Sequence, residues 1–229
     1  MLHRAAFSAF ALMTLAACGP SAPAADTTHG VSTDPVAATG FITVNTPAPD
    51  TASDSRDDGV LRDADGRPYH YAFLGEALPD VVAPLHAGGT FDSAAIDAWT
   101  IIDVWGVWCG DCRKDSPYAS ELSERLKSDP EIDFISIHTP SSAVRADDAF
   151  GKFGSLDAYF DEVGYAYPVA MDADASIRNA LQIAWTPTYL LVSPDGVVRG
   201  FRTDLSVAGE APVDAFLADI QTVINDISS

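Results

Sequence analysis

The 229-residue sequence is long enough for one domain of ordinary size together with an N-terminal extension. It carries 33 acidic and 13 basic side chains, giving a net charge of −20. Phosphate backbones and anionic lipid surfaces would repel such a chain, so we expect no nucleic-acid partner. Its three cysteines are Cys18, Cys109 and Cys112. A domain of this length folds without a disulfide framework, so the close pair indicates redox or metal chemistry.

Residues 1–18 have the pattern of a bacterial lipoprotein signal peptide. Arg4 precedes an apolar stretch, Ala5 to Ala17, which is too short to span a bilayer and suits a signal-peptide core. The stretch ends in Leu-Ala-Ala-Cys, which resembles the lipobox and implies that Cys18 is lipidated; an ordinary cleaved signal is the alternative. We expect a protein on the periplasmic side of a bacterial membrane, anchored there by lipid, with inner and outer membrane both left open.

Residues 19–58 are rich in Ala, Pro, Thr, Ser and Asp and show no sustained period of 2 or 3.6. Such a segment buries too little apolar surface to offset the entropy of ordering it, so we predict a flexible tether. The apolar run over 39–44 is the exception, because it is compatible with a short strand or a docking segment. The folded domain is predicted over 59–229.

Strand and helix patterns alternate within the predicted domain. In chain order they predict a hairpin across 61–73, an edge strand over 78–82, a strand over 100–107, a helix over 109–127, a strand over 132–138, helical material over 143–163, a strand over 167–171, a helix over 173–181, a hairpin of 188–192 with 197–203, and a helix over 211–227. The run over 100–107 is apolar except for Asp103, which is typical of a strand buried on both faces. The order predicts an α/β domain with a mixed sheet flanked by helices.

Cys109 lies where the buried strand passes into the helix. Unsatisfied backbone N–H groups and the positive end of the helix dipole favour a thiolate there, and the thiolate is the nucleophile of disulfide exchange. Cys112, one helical turn further on, is placed to attack a mixed disulfide and release the substrate. The spacing therefore predicts a two-step, intramolecular exchange reaction.

The sequence around these cysteines resembles the active-site segment of thioredoxins. Residues 103–113 read Asp-Val-Trp-Gly-Val-Trp-Cys-Gly-Asp-Cys-Arg, and Pro117 matches the family's helix-kinking proline. Downstream, 185–188 (Trp-Thr-Pro-Thr) resembles the thioredoxin cis-proline loop. The longer stretch between the two motifs is similar to the TlpA/ResA-type branch. The resemblance implies a thioredoxin fold with an N-terminal hairpin extension and a central insertion.

The resemblance also implies a function and a set of site residues. We expect a thiol–disulfide oxidoreductase that acts on exported proteins, with protein thiols and disulfides as substrates and an upstream redox partner. Its redox centre would be the Cys109–Cys112 disulfide, with no separate cofactor and no metal. The residues that match the family's site are Cys109, Cys112 and Asp103 for catalysis and Trp108, Thr186 and Pro187 for substrate binding. Asp103 would assist proton transfer at Cys112.

Asp111 departs from the family, whose relatives commonly carry proline beside the second cysteine. A carboxylate next to Cys109 disfavours its thiolate, although Arg113 and Lys114 oppose the effect, so we predict a reductase rather than an oxidase.

A structural zinc site usually needs four ligands, and the absence of a second cysteine pair in the sequence disfavours it. Two other interpretations of the cysteine pair remain open. A copper-binding chaperone on the same fold would use both cysteines with His138 as the candidate third ligand. A structural disulfide in a binding module is the weaker alternative.

Overall fold

The computed structural model describes residues 40–206, 209 and 211–228. The chain divides into two units, Met1–Ser32 and Thr33–Ser229, and the described residues lie in the second. The predicted signal peptide, the lipidation residue Cys18 and the part of the predicted tether before Gly40 lie outside the described residues. None of the described helices has the length and apolar character needed to cross a membrane.

The described part of the chain contains strands, helices and short 3-10 turns in alternation. The strands are β1 (Val82–Pro84), β2 (Thr90–Asp92), β3 (Trp99–Trp105), β4 (Ile132–His138), β5 (Val169–Met171), β6 (Thr188–Val192) and β7 (Val198–Arg202). The helices are α1 (Gly110–Leu126), α2 (Leu156–Val163), α3 (Ser176–Ala180) and α4 (Pro212–Ile227), with 3-10 turns over 93–95, 143–148 and 151–153. The central sheet has the order β5-β4-β3-β6-β7, and β1 pairs with β2 in a separate hairpin. β4 is parallel to β3 and β5, whereas β6 is antiparallel to β3 and β7. The predicted mixed sheet is confirmed.

The apolar run of β3 explains its place at the centre of the sheet. Every residue from Thr100 to Trp105 is buried, because β4 and β6 pair with its two edges and side chains cover both of its faces. Ile102 packs with the segment before β3 and with α3, whereas Ile101 packs on the other face with α1 and α4. Side chains alternate along a strand, so Asp103 shares the face of Ile101 that packs against α1.

The segment that follows Gly40 packs into the domain, which contradicts part of the predicted tether over 19–58. Phe41 and Ile42 are buried, and Ile42 exchanges two backbone hydrogen bonds with Phe201 of β7, at 2.8 and 3.0 Å. The Phe41 ring lies 5.2 Å from the Phe216 ring of α4. Burying each of these side chains contributes about 1.5–3 kcal/mol, which holds the segment in place. The predicted domain boundary is therefore wrong, and Phe41 and Ile42 form a docking segment.

Both edges of the central sheet carry additional backbone pairing. On the β7 edge one partner is Ile42, as described above, and another is Gly75, whose N–H donates to the Val198 carbonyl at 2.8 Å. On the β5 edge, Leu85 forms an antiparallel bridge with Ala170, and the N–H of His86 donates to the Val169 carbonyl at 2.8 Å. Residues in the connection between β1 and β2 thus continue the sheet beyond its last regular strand.

Other predicted elements are shorter than expected or displaced. The hairpin predicted across 61–73 forms an isolated bridge between Arg62 and Pro68, and the regular hairpin lies further along, in β1 and β2. The helical material predicted over 143–163 is continuous only in α2. Gly151 and Gly154 have φ values of 52° and 75°, which interrupt a right-handed helix before α2 begins.

Candidate active site

Cys109 and Cys112 lie at the start of α1 and are joined by a disulfide, with their Cα atoms 5.2 Å apart. Cys109 is the N-cap residue of the helix, and its Sγ accepts the backbone N–H of Cys112 at 3.2 Å. This N–H and the helix dipole would stabilise negative charge on the Cys109 sulfur once the disulfide is reduced. The predicted arrangement of nucleophile and helix start is present in the structure.

The two cysteines differ in their access to solvent. Cys109 is 8% exposed and lines an open groove of about 450 Å³, together with Trp108 and Trp185. Cys112 is 2% exposed. An incoming disulfide therefore meets the sulfur of Cys109 first.

The cis-proline loop lies directly against the cysteines. The peptide bond between Thr186 and Pro187 is cis, and the Thr186 carbonyl oxygen is 3.3 Å from Cys109 Sγ. Strand pairing brings the loop close to the cysteines, because Thr188 at the start of β6 pairs with Val104 near the end of β3. The two motifs that were predicted to act together are 77 residues apart in sequence and in contact in the fold.

Trp108 is fixed beside the cysteines by the loop that follows β4. Its Nε1–H donates to the Thr139 carbonyl at 2.7 Å, and the Arg178 guanidinium lies 5.7 Å from its ring. The fold permits this because residue 106 is glycine: a Cβ at Gly106 would collide with the indole and would lie 2.8 Å from the Thr139 oxygen.

Asp103 is a buried carboxyl group on the β3 face that packs against α1, the helix that carries Cys112. It is 2% exposed, and its Oδ1 has no hydrogen-bond partner within the described residues. Burial raises the pKa of Asp103 well above its usual range, and the charge of Asp115 raises it further. A carboxyl group with a raised pKa exchanges its proton at a higher pH than an exposed aspartate does.

Asp115 is a second buried acid in the same region, and its surroundings differ from those of Asp103. It accepts backbone N–H groups from Leu205 at 2.7 Å and Ser206 at 3.0 Å, and the Tyr189 hydroxyl at 3.2 Å. These donors favour its ionised form, although burial still raises its pKa. The pair therefore combines Asp115, whose carboxylate accepts three hydrogen bonds, with Asp103, whose Oδ1 accepts none within the described residues.

His138 is unsuited to the role of metal ligand that the copper alternative requires. Its Nε2 accepts the backbone N–H of Val107 at 3.1 Å, and its ring stacks on Phe150 with 4.7 Å between centroids. Burial lowers the pKa of His138 to about 4, so the ring is neutral and can act as this acceptor. No cluster of three or more His, Cys, Asp or Glu side chains suited to a metal occurs among residues 40–206, 209 and 211–228. The copper interpretation gains no support.

Arg178 is a residue of this site that the sequence did not reveal. It lines the same groove as Cys109, and its guanidinium donates to the carbonyl oxygens of Pro140, Ser141 and Ile183. It therefore connects the loop after β4, the approach to the cis-proline loop and the face of Trp108. No motif surrounds it, because its partners come from three separate segments.

The chain is similar to known proteins over the part that contains the cysteine pair and the cis-proline loop. The Redoxin family profile matches residues 73–211. The thiol-disulfide oxidoreductase ResA of Bacillus subtilis is 24% identical over 107 residues, which are 45% of this chain and 54% of that protein. ResA of Geobacillus kaustophilus is 24% identical over 103 residues, 44% of this chain and 52% of that protein. The chain thus spans about half the length of the curated relatives it matches.

A solved structure shows the same architecture. The solution structure of a Bacteroides thetaiotaomicron protein, provisionally described as a protein disulfide isomerase, has a TM-score of 0.51 and 19% identity, covering 69% of this chain and 93% of that one. The likeness confirms the predicted thioredoxin fold.

We expect Asp103→Asn to stabilise the oxidised protein at neutral and alkaline pH. The folded-state pKa of Asp103 is raised above the unfolded value of about 3.9. The unfolded chain therefore ionises first, and the wild type loses stability as the pH rises towards the folded pKa. Denaturant unfolding from about pH 3 to pH 9 should show a gain for Asp103→Asn that is absent at the acidic end and levels off at about 1–3 kcal/mol.

Asp111→Asn is the matched control, because Asp111 is half-buried and paired with Lys114 at 2.8 Å. It should show no such pH-dependent gain. An Asp103→Asn protein that is less stable than the wild type at pH 8 would contradict the assignment of Asp103 as an unfavourably buried acid.

Proposed function

The chain belongs to the Redoxin family, and on that premise we propose that it is a thiol–disulfide oxidoreductase that reduces disulfides in exported proteins. The observation that carries the proposal is the Cys109–Cys112 pair at the N-terminus of α1, with the Thr186 carbonyl 3.3 Å from the Cys109 sulfur. A redox-active pair, a helix dipole and a cis-proline loop meet at one exposed groove.

The reaction begins with the reduced protein. The Cys109 thiolate attacks one sulfur of the substrate disulfide, forming a mixed disulfide, and the second substrate sulfur leaves as a thiolate. Cys112 then gives up its proton and attacks the Cys109 sulfur, which forms the intramolecular disulfide and releases the first substrate sulfur. Two electrons pass from the protein to the substrate. An upstream thiol partner restores the reduced pair by the reverse exchange.

Asp103 is the proposed acceptor of the Cys112 proton. It lies on the β3 face that packs against α1, and burial holds its pKa well above that of an exposed aspartate. Ionisation of Cys112, whose sulfur is almost inaccessible to water, needs an internal base. Trp108, Thr186 and Pro187 are the proposed substrate contacts, since Trp108 and Thr186 line the groove at Cys109 and Pro187 follows Thr186 in the cis-proline loop.

We expect reduced Cys112→Ser to accumulate a covalent mixed disulfide with substrate. The first attack by Cys109 is intact in this variant, whereas the resolving thiol is gone. Incubation with a peptide disulfide followed by intact-mass measurement should show an adduct on most of the protein, which dithiothreitol removes.

Cys109→Ser is the matched control. Of the active-site pair it keeps only the buried thiol of Cys112, so, with Cys18 replaced by Ser in both variants, the adduct should form at least about tenfold more slowly than with Cys112→Ser. Equal labelling of the two variants, or adducts on neither, would contradict the assignment of Cys109 as nucleophile.

The reductase direction rests on Asp111 between the two cysteines. Its carboxylate disfavours a thiolate on Cys109, which favours the disulfide and lowers the potential, and the ion pair with Lys114 weakens the effect. We expect Asp111→Asn to raise the redox potential by about 15–30 mV, a factor of about three to ten in the equilibrium constant with glutathione. Asp133→Asn removes an exposed acid from the start of β4, at the far end of the sheet, and should leave the potential unchanged. A lower potential for Asp111→Asn would contradict this role.

We propose export and lipid anchoring from the pattern of residues 1–18, which lie outside the described residues. The acidic, exposed domain would then act outside the cytoplasm, where substrate disulfides persist. Expression of the full chain in a Gram-negative bacterium should place it in the membrane fraction with a lipid mass on Cys18, and Cys18→Ser should release it. A wild-type chain recovered unmodified from the cytoplasm would contradict the proposal.

A further inference from the structure

Basic residues are concentrated around the cysteines, although the chain as a whole carries a net charge of −20. Two grooves, each of about 450 Å³, share Trp108 in their lining. Together they contain five of the chain's 13 basic residues and two acids, Asp111 and Asp148. The basic residues are Arg56 and Arg178 in the groove that contains Cys109, and Arg113, Arg145 and Lys152 in the neighbouring groove.

Two of these cations are oriented by neutral groups. Arg113 donates to the Val107 carbonyl at 2.7 Å, and Arg178 donates to backbone carbonyls on either side of the site. A carbonyl oxygen orients a guanidinium without cancelling its charge. Asp172, whose charge acts on Arg178, is buried and accepts backbone N–H groups of α3. Much of the positive charge of Arg113 and Arg178 therefore remains for a ligand.

Arg145 and Lys152 form exposed ion pairs that a ligand can exchange. Arg145 lies 3.2 Å from Asp148, and Lys152 lies 3.1 Å from Glu162; more than half of each of these four side chains is exposed. Exposed ion pairs of this kind contribute only about 0–1 kcal/mol. An incoming carboxylate can replace such a partner at little cost.

Because salt screens distant charges, the charges that line the grooves dominate the attraction of a ligand there. At about 0.1 M salt the Debye length is about 10 Å, so acids elsewhere on the domain act weakly on a ligand at the grooves. A cleft lined by one sign of charge attracts ligands of the opposite sign and raises their association rate.

We propose that the substrate disulfide lies in an acidic segment of a protein, whose carboxylates flank the disulfide and bind the cations on both sides of Trp108. This inference rests on the proposed function and adds the substrate class to it. The exchange chemistry is unchanged; the charges act on capture and positioning of the segment before Cys109 attacks.

Three peptides with the same internal disulfide test the proposal. They differ only in the two residues on each side of the disulfide, which are Asp, Ser or Lys. Their rates of reduction by the reduced protein are measured by quenched flow at about 0.1 M and 1 M salt. We expect the Asp peptide to react about five- to tenfold faster than the Lys peptide at 0.1 M, and less than about twofold faster at 1 M.

Two double variants with equal net charge identify the cations responsible. Arg145→Gln with Lys152→Gln removes two paired cations from the neighbouring groove and should reduce the preference for Asp by at least about threefold. Arg125→Gln with Lys127→Gln removes two paired cations from the far end of α1 and should leave it unchanged.

The outcomes separate the two proposals. Equal rates for the three peptides, a preference for Lys, or the same loss in both double variants would overturn the acidic-substrate proposal while the proposed function stands. Failure of the protein to reduce even the Ser peptide would contradict the proposed function, and this inference with it.

Discussion

The position of one sulfur atom, Cys109 Sγ, at the N-terminus of α1 governs the rest of the site. The buried strand β3 ends just before it, and α1 begins immediately after it. This junction gives the sulfur its backbone donor, the N–H of Cys112, and exposes it to the groove. Because the junction lies at the centre of the sheet, both neighbouring strands deliver groups to it: β6 begins after the cis-proline loop, and β4 ends at His138, which Thr139 follows.

The same central position makes the burial of the Asp103 carboxyl group unfavourable for the stability of the fold. An acid in the middle of β3 is removed from water on both faces of the sheet, and Oδ1 finds no partner within the described part of the chain. Asp115 accepts three hydrogen bonds, so the two acids differ sharply in hydrogen bonding, and the charge of Asp115 raises the pKa of Asp103 further. Such a difference is typical of sites that hold one proton in a defined place. Burial of Asp103 lowers the stability of the folded protein and raises the pKa of its carboxyl group.

The sequence predicted the elements that have long and regular patterns. β3, β4, β6 and α1 lie within two residues of their expected bounds, because each has an uninterrupted period or apolar run. The catalytic segment was predictable because its residues are contiguous. The sequence indicated a short strand or docking segment over 39–44, but the partner of Phe41 was outside the reach of sequence patterns, since Phe216 lies 175 residues further on. The placement of Arg178 and Arg145 on either side of Trp108 escaped prediction for the same reason, since all three residues are far apart in sequence and only the fold brings them together.

The extra backbone pairing at the two ends of the central sheet has a consequence for how polypeptides can dock. Ile42 on β7 and Leu85 beside β5 occupy backbone groups that an extended chain would otherwise use to add itself as another strand. An extended polypeptide is therefore hindered from adding itself as a strand to either edge of the central sheet. Under the proposed function, an extended substrate segment would instead pair with the cis-proline loop, beside the Cys109 sulfur.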